Sequence, residues 1–197
     1  MRQGEVAMRK KILIAAAMLA AIAAMVLVNN RLTCSVAPDC ANLAEEAAKY
    51  WSRGGGSWSE EDILLRDSVT VGTRKFSLFE LEDQLGCVDL TRTFTGRWKI
   101  DQMGCGDGNF RVEIVEEDGD YYLLFGGRNA YFEIHTAKFE ITGTIHVVDI
   151  PQQDCFLVAQ DLMMRTSQDH VWPDQITFYD ENGVDITAQV PWNGPME

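Results

Sequence analysis

The chain has 197 residues, of which 46% are hydrophobic and 24% are charged. Such a composition is typical of a globular protein, and the length suits one domain of ordinary size with appended segments. The formal net charge of −13 makes binding to DNA or RNA unfavourable, because an acidic surface repels phosphate groups. The same charge would attract and steer a cationic partner, or it would only keep the domain soluble.

The N-terminal segment is basic and then strongly apolar. Residues 1–31 contain five Lys or Arg residues and one acid, whereas the rest of the chain holds 12 basic and 29 acidic residues. The uncharged run at residues 12–28 would form a helix of about 26 Å, just enough to cross the core of a bilayer. Arg9, Lys10 and Lys11 precede this run, so the positive-inside rule places the N-terminus in the cytoplasm. We therefore expect a single-pass protein of the inner (cytoplasmic) membrane, with everything after Arg31 in the periplasm or outside the cell.

A cleaved signal peptide is the alternative interpretation of the same segment. Two pairs of small residues, Ala21 with Ala23 and Ser35 with Ala37, could form a cleavage site. The uncleaved anchor is favoured because the apolar run is longer than the 7–15 residues of a usual signal-peptide core. Cleavage would give a secreted or periplasmic protein, so the body is exported in either case.

Five cysteines are distributed along the exported part: Cys34, Cys40, Cys87, Cys105 and Cys155. In an oxidising compartment five cysteines predict two disulfides and one remaining thiol. Cys34 and Cys40 are close enough in sequence to close a small loop. Cys87 with Cys105 and Cys105 with Cys155 are competing candidates for a second bridge. The absence of a C-x-x-C pair from the sequence argues against a zinc site, and we expect neither a metal nor another cofactor.

Between the apolar run and Cys87 the sequence favours helices. Residues 39–51 are rich in Ala, Leu, Glu and Lys; residues 59–65 begin with a capping-box spacing; and residues 77–85 have leucines at helical intervals. A glycine-rich joint at residues 53–57 separates the first two, and a short strand is expected at residues 69–71. We therefore predict a helical neck over residues 32–88, between the anchor segment 1–31 and a β-domain over residues 89–197.

Beyond Cys87 the hydrophobic period changes to two. Within residues 138–147 one side is apolar, at Phe139, Ile141, Gly143, Ile145 and Val147, as in a strand with one buried face. With turn signals between them, about eight strands are predicted, near residues 97–103, 109–116, 120–126, 130–136, 138–149, 155–165, 174–180 and 184–190. A sheet of this kind is best closed into an antiparallel barrel or a two-sheet sandwich. Its interior would be filled by aromatic residues: Phe110, Tyr121, Phe125, Phe132, Phe139 and Phe156.

The stretch Phe94-Thr95-Gly96-Arg97-Trp98 resembles the first strand of lipocalins and lipocalin-like barrels. The family pattern is an Asp, three residues, an aromatic or aliphatic residue, one further residue and then G-x-W. Here Asp89 is followed by four residues before Phe94, so the lead-in is one residue longer. The resemblance implies that Gly96 lets the chain turn into the barrel base and that Trp98 closes the bottom beneath an arginine from a late strand. Arg165 is the residue available for that role.

The search for catalytic groups gives one weak polar cluster. His135 and His146, with Glu133 and Glu140, fall on the polar sides of adjacent predicted strands, and such a group could bind a metal or move protons. A solvated polar face explains the same pattern. No G-x-S-x-G motif or phosphate-binding loop is present in the sequence, so we do not expect an enzyme.

These features lead to a functional hypothesis. The protein would be a membrane-anchored, extracytoplasmic binding or adaptor protein of the cell envelope. Its acidic β-domain would engage a protein partner that is cationic, for instance an enzyme that it inhibits. The alternatives are a lipocalin-like carrier of an apolar small ligand and a structural subunit of a membrane complex.

Overall fold

The computed structural model describes residues 2–130, 133–166 and 171–192. A helix, α1 (Arg2–Thr33), begins the chain and confirms the predicted N-terminal apolar helix. Its segment Lys11–Thr33 is long and apolar enough to cross a membrane, and the same segment would also serve as a signal sequence. None of the apolar stretch is buried against the body, so its hydrophobic side chains contribute nothing to the core.

The predicted helix at residues 39–51 is confirmed as α2 (Leu43–Ser52), which begins after Asn42 rather than at Asp39. One face of α2 is buried through Leu43, Ala47 and Ala48. The capping box at Ser59 and Asp62 is also present. It opens only a 3-10 turn (Glu60–Asp62), because the extended residue Ile63 immediately follows and starts a strand.

The helix predicted at residues 77–85 is wrong. This part of the chain forms β1 (Ile63–Val71), β2 (Arg74–Leu81) and β3 (Gln84–Arg92), an antiparallel meander. The leucine spacing arises because residues 78 and 81 lie on β2 and residue 85 lies on β3, across a turn at Glu82–Asp83. Consequently, the predicted helical neck is helical only at the last residues of α1, at α2 and at the 3-10 turn, and residue 89 lies inside β3 instead of between two domains.

The body contains three antiparallel sheets. The first has the order β1-β2-β3-β4, with β4 at Trp98–Gly106. The second has the order β5-β6-β9, formed by Phe110–Glu117, Asp120–Arg128 and Cys155–Asp161. The third has the order β10-β7-β8, formed by Ile176–Tyr179, Thr136–Ile141 and Thr144–Asp149. The prediction of a mainly β chain with antiparallel sheets is confirmed, and none of the sheets in the described residues closes into a barrel.

Two of the predicted strands take another form. The strand expected at residues 138–149 is the hairpin β7–β8, with its turn at Thr142 and Gly143, whose φ angles are +47° and +76°. Because the chain reverses there, Ile145 and Val147 are 66% and 51% exposed instead of facing the core. The strand expected at residues 184–190 is an isolated bridge at Asp185 followed by a 3-10 turn (Thr187–Gln189). The strand expected at residues 130–136 lies partly outside the described residues.

The hydrophobic core is layered. The first sheet packs one face against α2 and its other face against the second sheet, through Phe76, Leu78 and Leu124 among others. The second sheet is also covered on its far side, where it meets the third sheet. Phe125 lies at the centre of that layer, with ring centroids of Phe139 and Phe156 at 5.0 and 5.1 Å. Because β6 is buried on both faces, its sequence is nearly continuously apolar instead of alternating.

Candidate functional site

The stretch that resembles a lipocalin signature holds the end of α1 against the first sheet. Arg97 donates from Nε to the carbonyl oxygen of Cys34 and from Nη2 to that of Ser35, both at 2.6 Å. Thr95 donates from Oγ1 to the side-chain oxygen of Asn30, also at 2.6 Å. These contacts come from the turn between β3 and β4. We call Asn30, Val36, Thr95, Arg97 and Trp98 the helix clamp.

Backbone pairing completes the helix clamp. Val36 and Trp98 form an antiparallel bridge, with N–H to O=C distances of 3.2 and 3.1 Å. The Nε1 atom of Trp98 donates to the carbonyl oxygen of Pro38 at 3.1 Å. Val36 is fully buried and Cys34 is 3% exposed, although α1 ends only at Thr33. The apolar helix therefore joins the folded body without a flexible linker.

The resemblance to lipocalins assigns structural roles to Gly96, Trp98 and Arg165. Gly96 has a φ of +80°, a backbone conformation that glycine adopts at no steric cost, so it does make a turn. Trp98 is 6% exposed and packs in the cluster beneath α2. The cation over its ring is Arg92, with Cζ 5.7 Å from the centroid, whereas Arg165 follows β9 and is exposed. Trp98 is thus a core residue of the helix clamp.

The opposite end of the first sheet carries an acidic groove. We use this name for a cleft of about 1090 Å³ with six carboxylates and two arginines in its lining: Glu61, Asp62, Glu80, Glu82, Asp83, Asp107, Arg66 and Arg128. The turn at its centre, Glu82–Asp83, precedes β3, while the helix clamp follows β3. Nine strand residues at about 3.3 Å each separate the two features by roughly 30 Å.

Both arginines of the acidic groove are bound to one carboxylate. Glu80 forms salt bridges with Arg66 and with Arg128, the latter at 2.8 Å, and the side chains of Glu80 and Arg128 are only 14% and 12% exposed. Burial alone would raise the pKa of Glu80, but hydrogen bonds from Arg128 and Arg66 outweigh it and lower the pKa below its ordinary value. The other carboxylates of the groove form no salt bridge with any cation in the described parts of the chain. The groove is therefore a surface of excess negative charge.

A smaller cavity of about 230 Å³ lies between the first and second sheets. Cys87 lines it together with polar groups at its edge, including Asp89 and Arg111. Burial raises the pKa of the Cys87 thiol to about 12, so the thiol stays protonated at neutral pH and is a poor nucleophile. The guanidinium of Arg111 donates to the carbonyl oxygens of Leu85, Gly106 and Phe110. The guanidinium of Arg111 thus stabilises the ends of strands.

The predicted disulfides are not formed, and all five cysteines are free. Cys87 pairs with Gly104, and the next residue, Cys105, pairs with Gly86, so the two cysteines point to opposite faces of the sheet. Cys105 packs towards α2, whereas Cys155 packs between the first and second sheets. The first sheet therefore separates Cys105 from both of its predicted partners. Cys34 and Cys40 lie on either side of the strand bridge at Val36 and also remain thiols.

The histidine cluster expected from the sequence is spread over the third sheet. His146 pairs with Phe139, while the carbonyl of His135 accepts a hydrogen bond from the N–H of Ile150. Four strand positions, or about 13 Å, separate the two histidines along the sheet. Glu133 and Glu140 are both exposed. Within the described ranges, no three His, Cys, Asp or Glu side chains are placed so that they could hold one metal ion.

The sequence did not indicate which side chains of the G-x-W stretch hold the N-terminal helix. The resemblance singled out Gly96, Trp98 and Arg165, but the side-chain contacts to the end of α1 and to Cys34 come from Thr95 and Arg97. A signal was available, because Arg97 is a basic residue within a turn of a strongly acidic domain. No protein-family model, no curated protein and no solved structure matches this chain.

Proposed function

We propose that this chain is a single-pass membrane protein whose body acts outside the cytoplasm as a binding or adaptor protein of the cell envelope. α1 remains uncleaved and crosses the inner membrane, with Arg9, Lys10 and Lys11 on the cytoplasmic side, as the positive-inside rule favours. The observation that carries this proposal is the helix clamp, through which the apolar helix is joined directly to the body. A removable leader would gain nothing from such a junction.

The helix clamp also argues against cleavage at Ser35–Ala37. Removal of residues up to 37 would delete Val36, which is fully buried and pairs with Trp98. It would also remove the carbonyl groups that accept hydrogen bonds from Arg97. Losing one buried valine and its strand bridge would cost about 2–3 kcal/mol of the free energy of unfolding. The helix clamp therefore argues against cleavage at this site. A cut after Ala23 would leave the clamp in place, and the uncleaved anchor is favoured over it by the length of the apolar run.

The acidic groove is the surface proposed to bind a partner. Its carboxylates that form no salt bridge would attract a cationic segment of another protein, and the same field would speed the encounter at low ionic strength. The rest of the body is well packed, with a cluster of phenylalanines between the second and third sheets. The body would thus act through its surface.

The adaptor function is preferred over a carrier of apolar ligands. The cavity between the first and second sheets, at about 230 Å³, is smaller than the roughly 300–1,000 Å³ typical of small-molecule sites. The protonated Cys87 thiol and the separated histidines provide no nucleophile–base pair. We therefore propose no catalytic step.

Charge reversal in the groove tests the partner-binding part of the proposal. In the full chain, Glu61→Lys and Asp83→Lys together are expected to weaken the capture of the cationic partner from solubilised membranes by about 5–30-fold at low salt, from about 0.5–1 kcal/mol per altered contact. The matched control is Glu140→Lys with Asp149→Lys, two exposed acids of the third sheet, which should leave capture unchanged. Equal capture by both double variants, or capture that ignores ionic strength, would eliminate the groove as the binding surface.

A further inference from the structure

We propose that the turn Phe94–Gly96 inserts into the interfacial layer of the bilayer that α1 crosses, which gives the body a second contact with the membrane. This inference rests on the proposed membrane anchor. Two contacts, α1 and the turn, would then fix the orientation of the body relative to the membrane. The occupant of this surface is lipid, at the level where the head groups meet the acyl chains.

The position of the turn follows from the helix clamp. The uncharged run ends at Val28, and Asn30 lies two helical residues further, at roughly 3 Å along the helix axis. The hydrogen bond of 2.6 Å between Thr95 and Asn30 holds the turn at that level. The interfacial region adds about 5–7 Å on each side of the hydrocarbon core. Thr95 and the adjacent residue Phe94 therefore lie within this layer when α1 spans the membrane.

The chemistry of the turn fits that location. Phe94 is 73% exposed, although an aromatic ring of its size is normally buried in the body of a protein. Leu32, in the last turn of α1, is 77% exposed. Apolar side chains of this kind are stable at the membrane interface, where they reach the acyl boundary while the backbone stays hydrated. Placed in water, both side chains would be exposed without a partner.

Basic residues lie close to the same turn in the sequence. Arg31 at the end of α1 and Arg92 at the end of β3, two residues before the turn, are both exposed, whereas Lys99 is bound to Asp101. The part of the chain after residue 31 is otherwise strongly acidic, with 29 acidic and 12 basic residues. A local basic group in such a body matches the phosphates of lipid head groups, while the acidic groove lies at the far end of the sheet.

Site-specific photocrosslinking tests the proposal in the full chain reconstituted in lipid vesicles. A benzophenone side chain is introduced in turn at Leu27, Phe94 and Val184, and the adducts are identified by mass. Leu27 reports on α1, and Val184, in the turn that follows β10, is a control that is exposed like Phe94. We expect lipid adducts at Leu27 and Phe94, and a yield at Val184 that is at least fivefold lower than at Phe94.

The outcomes separate the two proposals. Lipid adducts at Leu27 together with a Phe94 yield no higher than that of Val184 would overturn the interfacial turn and leave the anchor standing. Adducts of Phe94 with protein instead of lipid would likewise overturn it, in favour of a protein contact. The absence of lipid adducts at Leu27 would overturn the anchor itself. Since Phe94 is exposed, the Phe94→Ser variant should keep the urea midpoint of the parent chain, which shows that substitution at this position leaves the fold intact.

Discussion

Replacing Arg97 by alanine should loosen the junction between α1 and the body without unfolding the body. The substitution removes two hydrogen bonds from a charged donor to the carbonyl groups of Cys34 and Ser35. Bonds of this kind contribute about 1.5–3 kcal/mol each, but the freed carbonyls at this half-buried site regain water. We therefore assign a loss of about 2 kcal/mol to the junction as a whole. That corresponds to a roughly 30-fold increase in the population of locally open molecules.

Hydrogen exchange of the full chain in nanodiscs measures this opening directly. The amide of Val36 donates to the carbonyl of Trp98, so its exchange rate should rise about 30-fold in the Arg97→Ala variant, while amides of β6 keep their protection. Lys99→Ala is the matched control, because it removes the same charge two residues further along the chain, at the start of β4, and breaks an exposed ion pair with Asp101. Unchanged exchange at Val36, or an equal rise in the Lys99→Ala control, would refute the clamping role of Arg97.

Three further predictions concern the body. Glu80→Gln should lower the free energy of unfolding by about 1–2 kcal/mol at pH 7. Because the pKa of Glu80 is lowered in the fold, the stabilisation by its carboxylate is present above the ordinary pKa and is lost as pH falls through the folded pKa. Urea titrations should find this loss in the parent chain but not in the variant. Gly127→Ala should cost about 1–3 kcal/mol, because the added Cβ would lie 2.2 Å from the ring of Phe110, whereas Gly104→Ala, with no atom within 4 Å, should be nearly neutral in thermal melts. Alkylation with maleimide under native conditions should leave Cys87 unmodified, because the pKa of its thiol is raised to about 12. A disulfide-linked peptide that joins Cys87 to Cys105 would contradict the strand register.

Much of the chain could be predicted because local pattern and tertiary structure agree. The apolar run at residues 12–28 is long and uncharged, and the alanine-rich α2 contains a helical period, and no later contact overrides either. Hairpins such as β5–β6 are marked by an alternating strand and an Asp118-Gly119 turn. In these regions the sequence period, the turn residues and the burial lead to the same structure.

The meander β1–β3 could not be predicted by the same reasoning. The central part of β2 is buried on both faces, at residues 76–79, so it lacks the alternation that identifies a half-buried strand. The leucines on either side of the Glu82–Asp83 turn then imitate a helical period. The prediction of the β7–β8 hairpin failed for the opposite reason. The alternation of apolar and polar residues continues through its turn, so the sequence does not show that the chain reverses there.

The candidate site depended on contacts between distant parts of the chain. Arg97 is 62 and 63 residues from the carbonyl groups that it binds, and Thr95 is 65 residues from Asn30. No spacing rule links residues so far apart, so the sequence indicated the motif but not its role. The sequence indicated the acidic groove only as an excess of negative charge, because its carboxylates come from three separate segments, residues 61–62, 80–83 and 107.

The intact mass of the protein recovered from membrane and soluble fractions tests the central claim most directly. We expect the protein in the membrane fraction, resistant to alkaline extraction, with a mass that includes α1 and the residues of the helix clamp. Recovery of a soluble product that begins after residue 23 or after residue 37 would contradict the account, because α1 would then be a removed leader instead of an anchor.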